Sequence, residues 1–194
     1  MALHWLTIVG CMLISGTPIR VALVCALLFV MNCTHAEADT VSPRLRPLTG
    51  RLVRLLTLGY QTSPTLATLV DELEHSDVIV HIEERRRPER WTIGHTRLVA
   101  RIGGQRYLRI SLDVRRGDEA LVALLGHELH HAREIAQESW VTDQTTLAEL
   151  YRQIGHESCA RPGMIAVDTQ AARKVGRQVL AELREHRGGG LLSE

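Results

Sequence analysis

Residues suited to metal chemistry are concentrated in one short stretch of the chain. His127, Glu128 and His131 lie in the segment His-Glu-Leu-His-His, whose first and last histidines are four positions apart. On an α-helix that spacing places both imidazoles on one face, within reach of a single metal ion. Two neutral nitrogen ligands suit zinc, which lowers the pKa of bound water towards neutrality. Glu128 is turned partly aside, so it can act as the general base on a metal-activated water.

The residues around this motif favour a buried helix. Apolar side chains recur at helical spacing on both sides of it, at Leu121, Leu124, Leu125, Leu129, Ala132 and Ile135. Gly126 leaves space beside His127 for a packed strand or a substrate. His130 and Glu134 are interpreted as surface groups that pair at i,i+4 spacing. The alternative is a solvated helix whose histidines and glutamates coat one face without binding anything.

The motif resembles that of the zincin metallopeptidases, and within them the gluzincin-like groups. The resemblance covers roughly residues 98–184, and its specific part is the segment 127–131. In zincins both motif histidines bind zinc and the motif glutamate is the general base. The resemblance therefore implies that His127 and His131 are zinc ligands. It also implies that Glu128 is the catalytic residue of a zinc metallopeptidase, which is a hydrolase.

A catalytic zinc site of this kind needs a third protein ligand. The metzincin branch of the family is excluded, because Glu134 and Gln137 occupy the positions where it has a glycine and a further histidine. Gluzincins instead use a glutamate on a later helix, followed by small residues that let this helix pack on the motif helix. The candidates in this chain are Asp143, Glu149, His156, Glu157 and Asp168.

Asp168 fits the gluzincin description best, although it is an aspartate. It opens the last predicted helix and is followed by Ala171, Ala172 and Gly176, which permit close helix packing. Its alternative role is that of a plain N-cap, and Glu149 and Glu157 remain the other ligand candidates.

A hydrogen-bond donor to the tetrahedral oxyanion is the remaining part of such a site. Tyr151 and His156, in the segment 149–157, are the two candidates for it, as the resemblance implies for a tyrosine or histidine near the metal. Core packing is the alternative role for Tyr151.

The segments that must position these residues read as an α+β domain. Period-two alternation predicts strands over 77–84, 96–102 and 105–114, joined in a small antiparallel β meander with a Gly103-Gly104 hairpin turn. The meander is followed by the active-site helix, over 118–138. The exposed edge of the meander could hold an extended peptide by strand addition.

Helices complete the predicted zincin-like fold on both sides of the strands. Apolar spacing predicts helices over 48–60, 145–156 and 167–186. A further helix is predicted to begin at Ser63, with Pro64 at its first position. The order of helices, strands and helices is typical of α+β domains.

The N-terminal segment has the features of a signal peptide. Arg20 precedes a dense apolar run, and Ala36 and Ala38 form the small-residue pattern that signal peptidase prefers. We expect residues 1–38 to be removed, which leaves a metallopeptidase domain over 39–187 and a flexible tail over 188–194. The alternative is an uncleaved N-terminal membrane anchor. Removal of 1–38 leaves Cys159 as the single cysteine, so no internal disulfide is expected.

Composition narrows the class of protein further. The net charge of +1 gives no bulk field for nucleic acid, and 45% apolar residues supply an aliphatic core. The sequence thus predicts an exported, secreted or periplasmic zinc peptidase that acts on a peptide or protein substrate and contacts a membrane only if the N-terminal segment stays uncleaved. The alternative function is a non-catalytic envelope module that keeps the scaffold to bind a peptide or partner.

Overall fold

A computed structural model describes residues 41–85, 93–157 and 167–189. The elements in these ranges are, in chain order, β1 (Leu45–Pro47), α1 (Gly50–Thr62), α2 (Pro64–Glu74), β2 (Val78–Arg85), β3 (Gly94–Ile102), β4 (Gln105–Asp113), α3 (Asp118–Gln137), α4 (Gln144–Ile154), β5 (His156–Glu157), β6 (Val167–Asp168) and α5 (Gln170–Gly189). The expected signal peptide, the segment that contains Cys159 and the last five residues lie outside the described ranges.

The described ranges form a mixed α and β domain with five helices and a four-stranded mixed sheet. The strand order is β1-β2-β4-β3, in which β1 pairs parallel with β2, β2 pairs parallel with β4, and β3 pairs antiparallel with β4. β5 and β6 form a separate antiparallel pair.

The predicted antiparallel meander is wrong for β2, which pairs with β4 and not with β3. Within the four-stranded sheet only the hairpin of β3 and β4 is antiparallel, with Gly103 and Gly104 at φ 59° and 82° as a two-residue turn requires. β4 occupies the centre, where Leu108, Ile110 and Leu112 are fully buried. Alternation specifies which face of a strand is buried but not its neighbour, so the sequence pattern left this pairing open.

The predicted start of α2 is confirmed by its cap. Ser63 accepts a hydrogen bond from the Leu66 amide, and Pro64 occupies the first helical position. β1 was not predicted, because three residues that end in proline carry too little pattern for a strand. Its Leu45 is buried and its register partner is Val80 of β2.

α3 is the central element of the fold. It packs against α1, α2, α5 and strands β2 to β4, and its N-cap is Gly117, with Asp118 as the first helical residue. Leu121, Leu125 and Leu129 are almost completely buried, so the motif helix is a core helix and not a solvated one. Within the described ranges no helix is both long and apolar enough to cross a membrane.

Candidate metal centre

The structure brings His127, His131 and Asp168 together. One ligand atom from each lies within 4.8 Å of the others. The Nε2 atoms of His127 and His131 lie 3.4 Å and 3.6 Å from Asp168 Oδ1. A tetrahedral zinc site with ligand distances of about 2.0–2.1 Å separates its donor atoms by roughly 3.3 Å. The two separations from Asp168 Oδ1 are therefore close to those of donors around one ion.

Asp168 reaches this position from β6 and not from the first turn of α5, where the sequence had placed it. Its backbone pairs with His156 across the short β5–β6 pair. The next residue, Thr169, caps α5 by accepting a hydrogen bond from the Ala172 amide at 3.0 Å. Since Thr169 satisfies the helix N-terminus, the carboxylate of Asp168 is not used as a cap.

One oxygen of Asp168 is fixed and the other points at the histidines. Arg173 Nε donates to Asp168 Oδ2 at 2.7 Å. Asp168 Oδ1 is buried and has no hydrogen-bond partner. A buried carboxylate oxygen without a donor is costly unless something binds it. With the neighbouring Nε2 atoms of His127 and His131, this oxygen is the third candidate donor for a metal ion.

A second carboxylate orients the ring of His131. His131 Nδ1 donates to Glu134 Oε2 at 2.7 Å, which leaves Nε2 directed towards Asp168. Thr169 Oγ1 donates to Glu134 Oε1 at 2.6 Å. Burial opposes the charged form of Glu134, but hydrogen bonds from His130, His131 and Thr169 outweigh it and lower the pKa of this carboxyl to about 2. Glu134 is therefore a charged partner of a ligand candidate.

The sequence interpretation of His130 and Glu134 as surface groups is wrong. Both side chains are buried, with 7% and 9% of their surface exposed. His130 Nε2 lies 3.4 Å from Glu134 Oε1, so the predicted i,i+4 pair forms inside the protein. α5 packs against α3, and Thr169, just before α5, bonds Glu134, so these polar residues lie in the interior and face one another.

Glu128 lies against the sheet and not among the three ligand candidates. It is 3% exposed, and Thr96 Oγ1 of β3 donates to its Oε2 at 2.7 Å. Gly94 of β3 lies so close that a Cβ there would be 2.3 Å from Glu128 Oε1. Burial raises the pKa of Glu128 to about 7, against the charge on His131 and the hydrogen bond from Thr96. The carboxyl thus has a proton affinity suited to general base chemistry near neutrality.

The two histidines differ in their affinity for protons. Burial, and then repulsion from His131, lowers the pKa of His127. Burial also opposes the protonated form of His131, but the carboxylates of Asp168 and Glu134 outweigh it and raise the pKa of His131 to about 9. In the absence of a cation His131 holds the proton that a bound metal would displace.

Small residues bring α5 close to α3, as predicted. A Cβ at Gly176 would lie 3.3 Å from the Ala123 carbonyl oxygen and 3.3 Å from His127 Cβ. Ala172 is fully buried, whereas Ala171 faces solvent. Gly126 packs beneath Val179 of α5 and does not lie beside a substrate site.

Asp143 and Glu149 do not join the cluster. Asp143 caps α4 by accepting from the Thr146 amide. Glu149 lies at the surface, where it pairs with Arg152 and accepts from Gln153. The side chains of His156 and Glu157 lie outside the described part of the chain, so both stay predicted ligand candidates and His156 stays a predicted oxyanion donor.

Tyr151 lies beside the cluster. Its ring meets the His131 ring edge-on, with centroids 5.5 Å apart. Burial, together with the nearby carboxylates, raises the pKa of its phenol well above the ordinary value. The phenol thus remains a neutral hydrogen-bond donor beside the site.

The cluster opens into a cleft of 1060 Å³. Edge strand β3 forms one wall and α3, α4 and α5 form the others. The carbonyl oxygen of Ile93 accepts a hydrogen bond from the Asp113 amide of β4. Because successive residues of a strand alternate in direction, the odd-numbered residues at the start of β3 direct their backbone N–H and C=O groups towards β4. Gly94 and Thr96 consequently present their amides and carbonyls at the open edge. Farther along, the side chain of Gln144 donates to the Leu98 carbonyl.

Several residues of this site had no sequence pattern that indicated a role in it: Gly94, Thr96, Glu134, Thr169 and Arg173.

Comparison of the chain with protein-family models, curated proteins and solved structures finds no match.

Proposed function

We propose that this protein is a zinc-dependent peptidase of the zincin type, exported from the cytoplasm. The observation that carries the proposal is the convergence of His127, His131 and the unpartnered Oδ1 of Asp168 beside a buried glutamate. Two imidazoles and one carboxylate form the donor set of several catalytic zinc sites, in which a fourth position stays open. Export rests on the N-terminal sequence pattern, as predicted above.

The three ligand candidates fit a divalent cation in charge as well as in spacing. Asp168 contributes one negative charge, and Glu134 supplies a second through His131. This is the carboxylate–histidine arrangement that raises the basicity of a metal ligand and fixes its ring. A zinc ion bound here would act as a Lewis acid that polarises a carbonyl and acidifies a bound water.

Glu128 is positioned to take up and release a proton. Its Oε2 is held by Thr96, which leaves Oε1 beside Gly94 as the atom that can accept a proton from the attacking water. The protonated carboxyl can then pass that proton to the leaving amine. Burial keeps competing bulk water away from Glu128.

The open edge of β3 is the proposed binding place for the substrate. An extended peptide can pair with the free backbone groups of Gly94 and Thr96 by strand addition. Thr96 also holds Glu128, so this pairing would place the peptide backbone directly beside the general base. Tyr151, on the far side of His131, would donate a hydrogen bond to the developing oxyanion.

The experiment that tests the proposed function is hydrolysis of a fluorogenic peptide mixture by the zinc-loaded protein and by Glu128→Gln. We expect Glu128→Gln to bind zinc as the wild type does and to lose about 10²- to 10⁴-fold in rate, the usual contribution of a general base. Equal rates for the two proteins would overturn the peptidase assignment. Zinc and peptide binding without any hydrolysis would instead favour the non-catalytic binding module.

A further inference from the structure

The cleft around the metal centre is strongly basic, although the whole chain has a net charge of only +1. Seven of the described residues that line it are arginines, and three are carboxylates. Two of the carboxylates, Glu128 and Asp168, belong to the proposed catalytic machinery. The third, Glu83, accepts a hydrogen bond from Ser111 and lies 3.8 Å from Arg109. The wall therefore carries an excess of positive charge that its own carboxylates do not neutralise.

The arginines of the helical wall lie at both ends of the cleft. α5 runs antiparallel to α3, since Thr169 bonds Glu134 near the end of α3 while Arg187 pairs with Glu119 near its start. Arg177 of α5 therefore lies towards the N-terminal end of α3, the end that also carries Arg116. Arg152 of α4 lies at the opposite end, beyond Tyr151.

Two of these arginines form no salt bridge with a described side chain. Arg116 and Arg177 are exposed. Arg115 chiefly, and Arg116 to a smaller extent, lower the pKa of Asp113, so the guanidinium of Arg116 is near that carboxylate without a direct ion pair. In contrast, Arg173 forms an ion pair with Asp168, and Arg152 forms one with Glu149. Guanidinium groups bind carboxylates through two parallel hydrogen bonds, which makes arginine well suited to recognise acidic side chains.

We propose that the cleft selects peptides with aspartate or glutamate around the scissile bond. Arg177, which follows Gly176 beside His127, would recognise the nearer acidic side chains, and Arg116, at the N-terminal end of α3, those farther from the bond. This inference rests on the proposed peptidase function, because it assigns a substrate class to the same site. An acidic peptide fits better than a nucleic acid. Among the described lining residues Tyr151 is the one aromatic side chain besides histidine, so the described walls offer few of the stacking platforms that single strands require.

The test compares peptides that differ only in the residues around the scissile bond, which are glutamate, glutamine or lysine. We expect kcat/KM to be about tenfold or more higher for the glutamate peptide than for the lysine peptide, and this ratio to shrink as salt is added. Arg177→Glu should lower the ratio about 3- to 10-fold, and Arg116→Glu should act in the same direction. Arg184→Glu is the matched control, since Arg184 is an exposed residue of α5 that does not line the cleft.

Different outcomes separate the inference from the function on which it rests. Hydrolysis with equal kcat/KM for all three peptides, or an equal effect of Arg184→Glu and Arg177→Glu, overturns the inference and leaves the peptidase intact. Fluorescence anisotropy with labelled peptides gives the second readout. Binding of the glutamate peptide that depends on Arg177, without hydrolysis, supports the inference and contradicts the peptidase. An oligonucleotide that displaces this peptide at equal or lower concentration also overturns the inference.

Discussion

Glu134 shows how much of the site depends on a residue that does not itself face the metal position. It accepts hydrogen bonds from His131 Nδ1 and Thr169 Oγ1, so it joins the motif helix to the residue that follows Asp168. Partners of this kind fix which ring nitrogen of a histidine is free to bind metal. The geometry of the two histidines and Asp168 thus depends on one buried carboxylate.

Replacement of Glu134 by alanine tests this role. We expect zinc affinity to fall about 10- to 100-fold, because His131 loses the partner that orients its ring and raises its basicity. Glu138→Ala is the control, since Glu138 lies one turn farther along α3 and its carboxylate bonds Trp140 at the surface. Isothermal titration with zinc measures both variants, and equal affinities would show that Glu134 has no part in metal binding.

At the scale of residues, sequence spacing predicted the relative directions of side chains that lie on the same helix. His127, Glu128 and His131 could be assigned because an α-helix fixes their relative directions. His130 and Glu134 could not, since their burial depends on contacts with residues far along the chain, such as the hydrogen bond from Thr169 to Glu134. Asp168 was predicted as a ligand from its small neighbours, while its position before the helix follows from Thr169 acting as the cap.

Among the elements, β3 has two functions that meet at Gly94. As the edge strand it presents backbone groups to the cleft, and at the same point it approaches α3 so closely that a side chain would strike Glu128. Glycine allows this approach of strand and helix. The position of Glu128, the proposed general base, therefore depends on a residue of another element.

Gly94→Ala should reduce activity far more than stability. The added Cβ would be 2.3 Å from Glu128 Oε1 and 2.9 Å from Leu124 Cδ1, so the flexible carboxylate must move from its place. We expect kcat to fall at least about tenfold, while zinc affinity stays within about twofold because none of the ligand candidates is touched. Gly50→Ala in α1 is the control, as its nearest neighbour would be 3.8 Å away. Unchanged kcat in Gly94→Ala would mean that Glu128 is not positioned by β3.

Sequence predicted the elements better than their arrangement. Ser63 with Pro64 and the Gly103-Gly104 pair act through local backbone chemistry, and the structure has the helix start and the turn they predict. The pairing of β2 with β4 joins segments far apart in the chain, with Val78 opposite Arg106, and alternation within β2 contains no information on its partner.

For the molecule as a whole, Arg106 ties the sheet to the end of the motif helix. It is 1% exposed, its Nη1 donates to the carbonyls of Ile135 and Glu138 at 2.7 Å, and two of its nitrogens bond the carboxylate of Asp77. The buried guanidinium thus satisfies carbonyls that the end of α3 leaves free. Its charge is balanced by an aspartate at the start of β2.

This pair should make the protein sensitive to acid. The hydrogen bond from Arg106 lowers the pKa of Asp77 below its ordinary value, against burial. A lowered carboxyl pKa stabilises the fold above the unfolded value of about 3.9, and that stabilisation is lost as the pH falls through the lower folded value. Asp77→Asn should therefore be less stable than the wild type at pH 7 and lose less on acidification from about pH 5 to pH 2.

Urea unfolding at a series of pH values measures this difference. Asp71→Asn, at an exposed position of α2, controls for the removal of a negative charge. A difference in free energy of unfolding between wild type and Asp77→Asn that stays constant down to pH 2 would contradict the proposed contribution of the pair.

The central claim is that His127, His131 and Asp168 form one zinc site. Equilibrium titration of the purified, metal-free protein with zinc tests it most directly, with Asp168→Ala and Glu149→Ala measured in parallel. We predict one zinc ion bound per chain, affinity that falls at least about 100-fold in Asp168→Ala, and wild-type affinity in Glu149→Ala, whose carboxylate lies at the surface. A wild type without stoichiometric zinc, or an Asp168→Ala variant that binds zinc as tightly as the wild type, would contradict the claim.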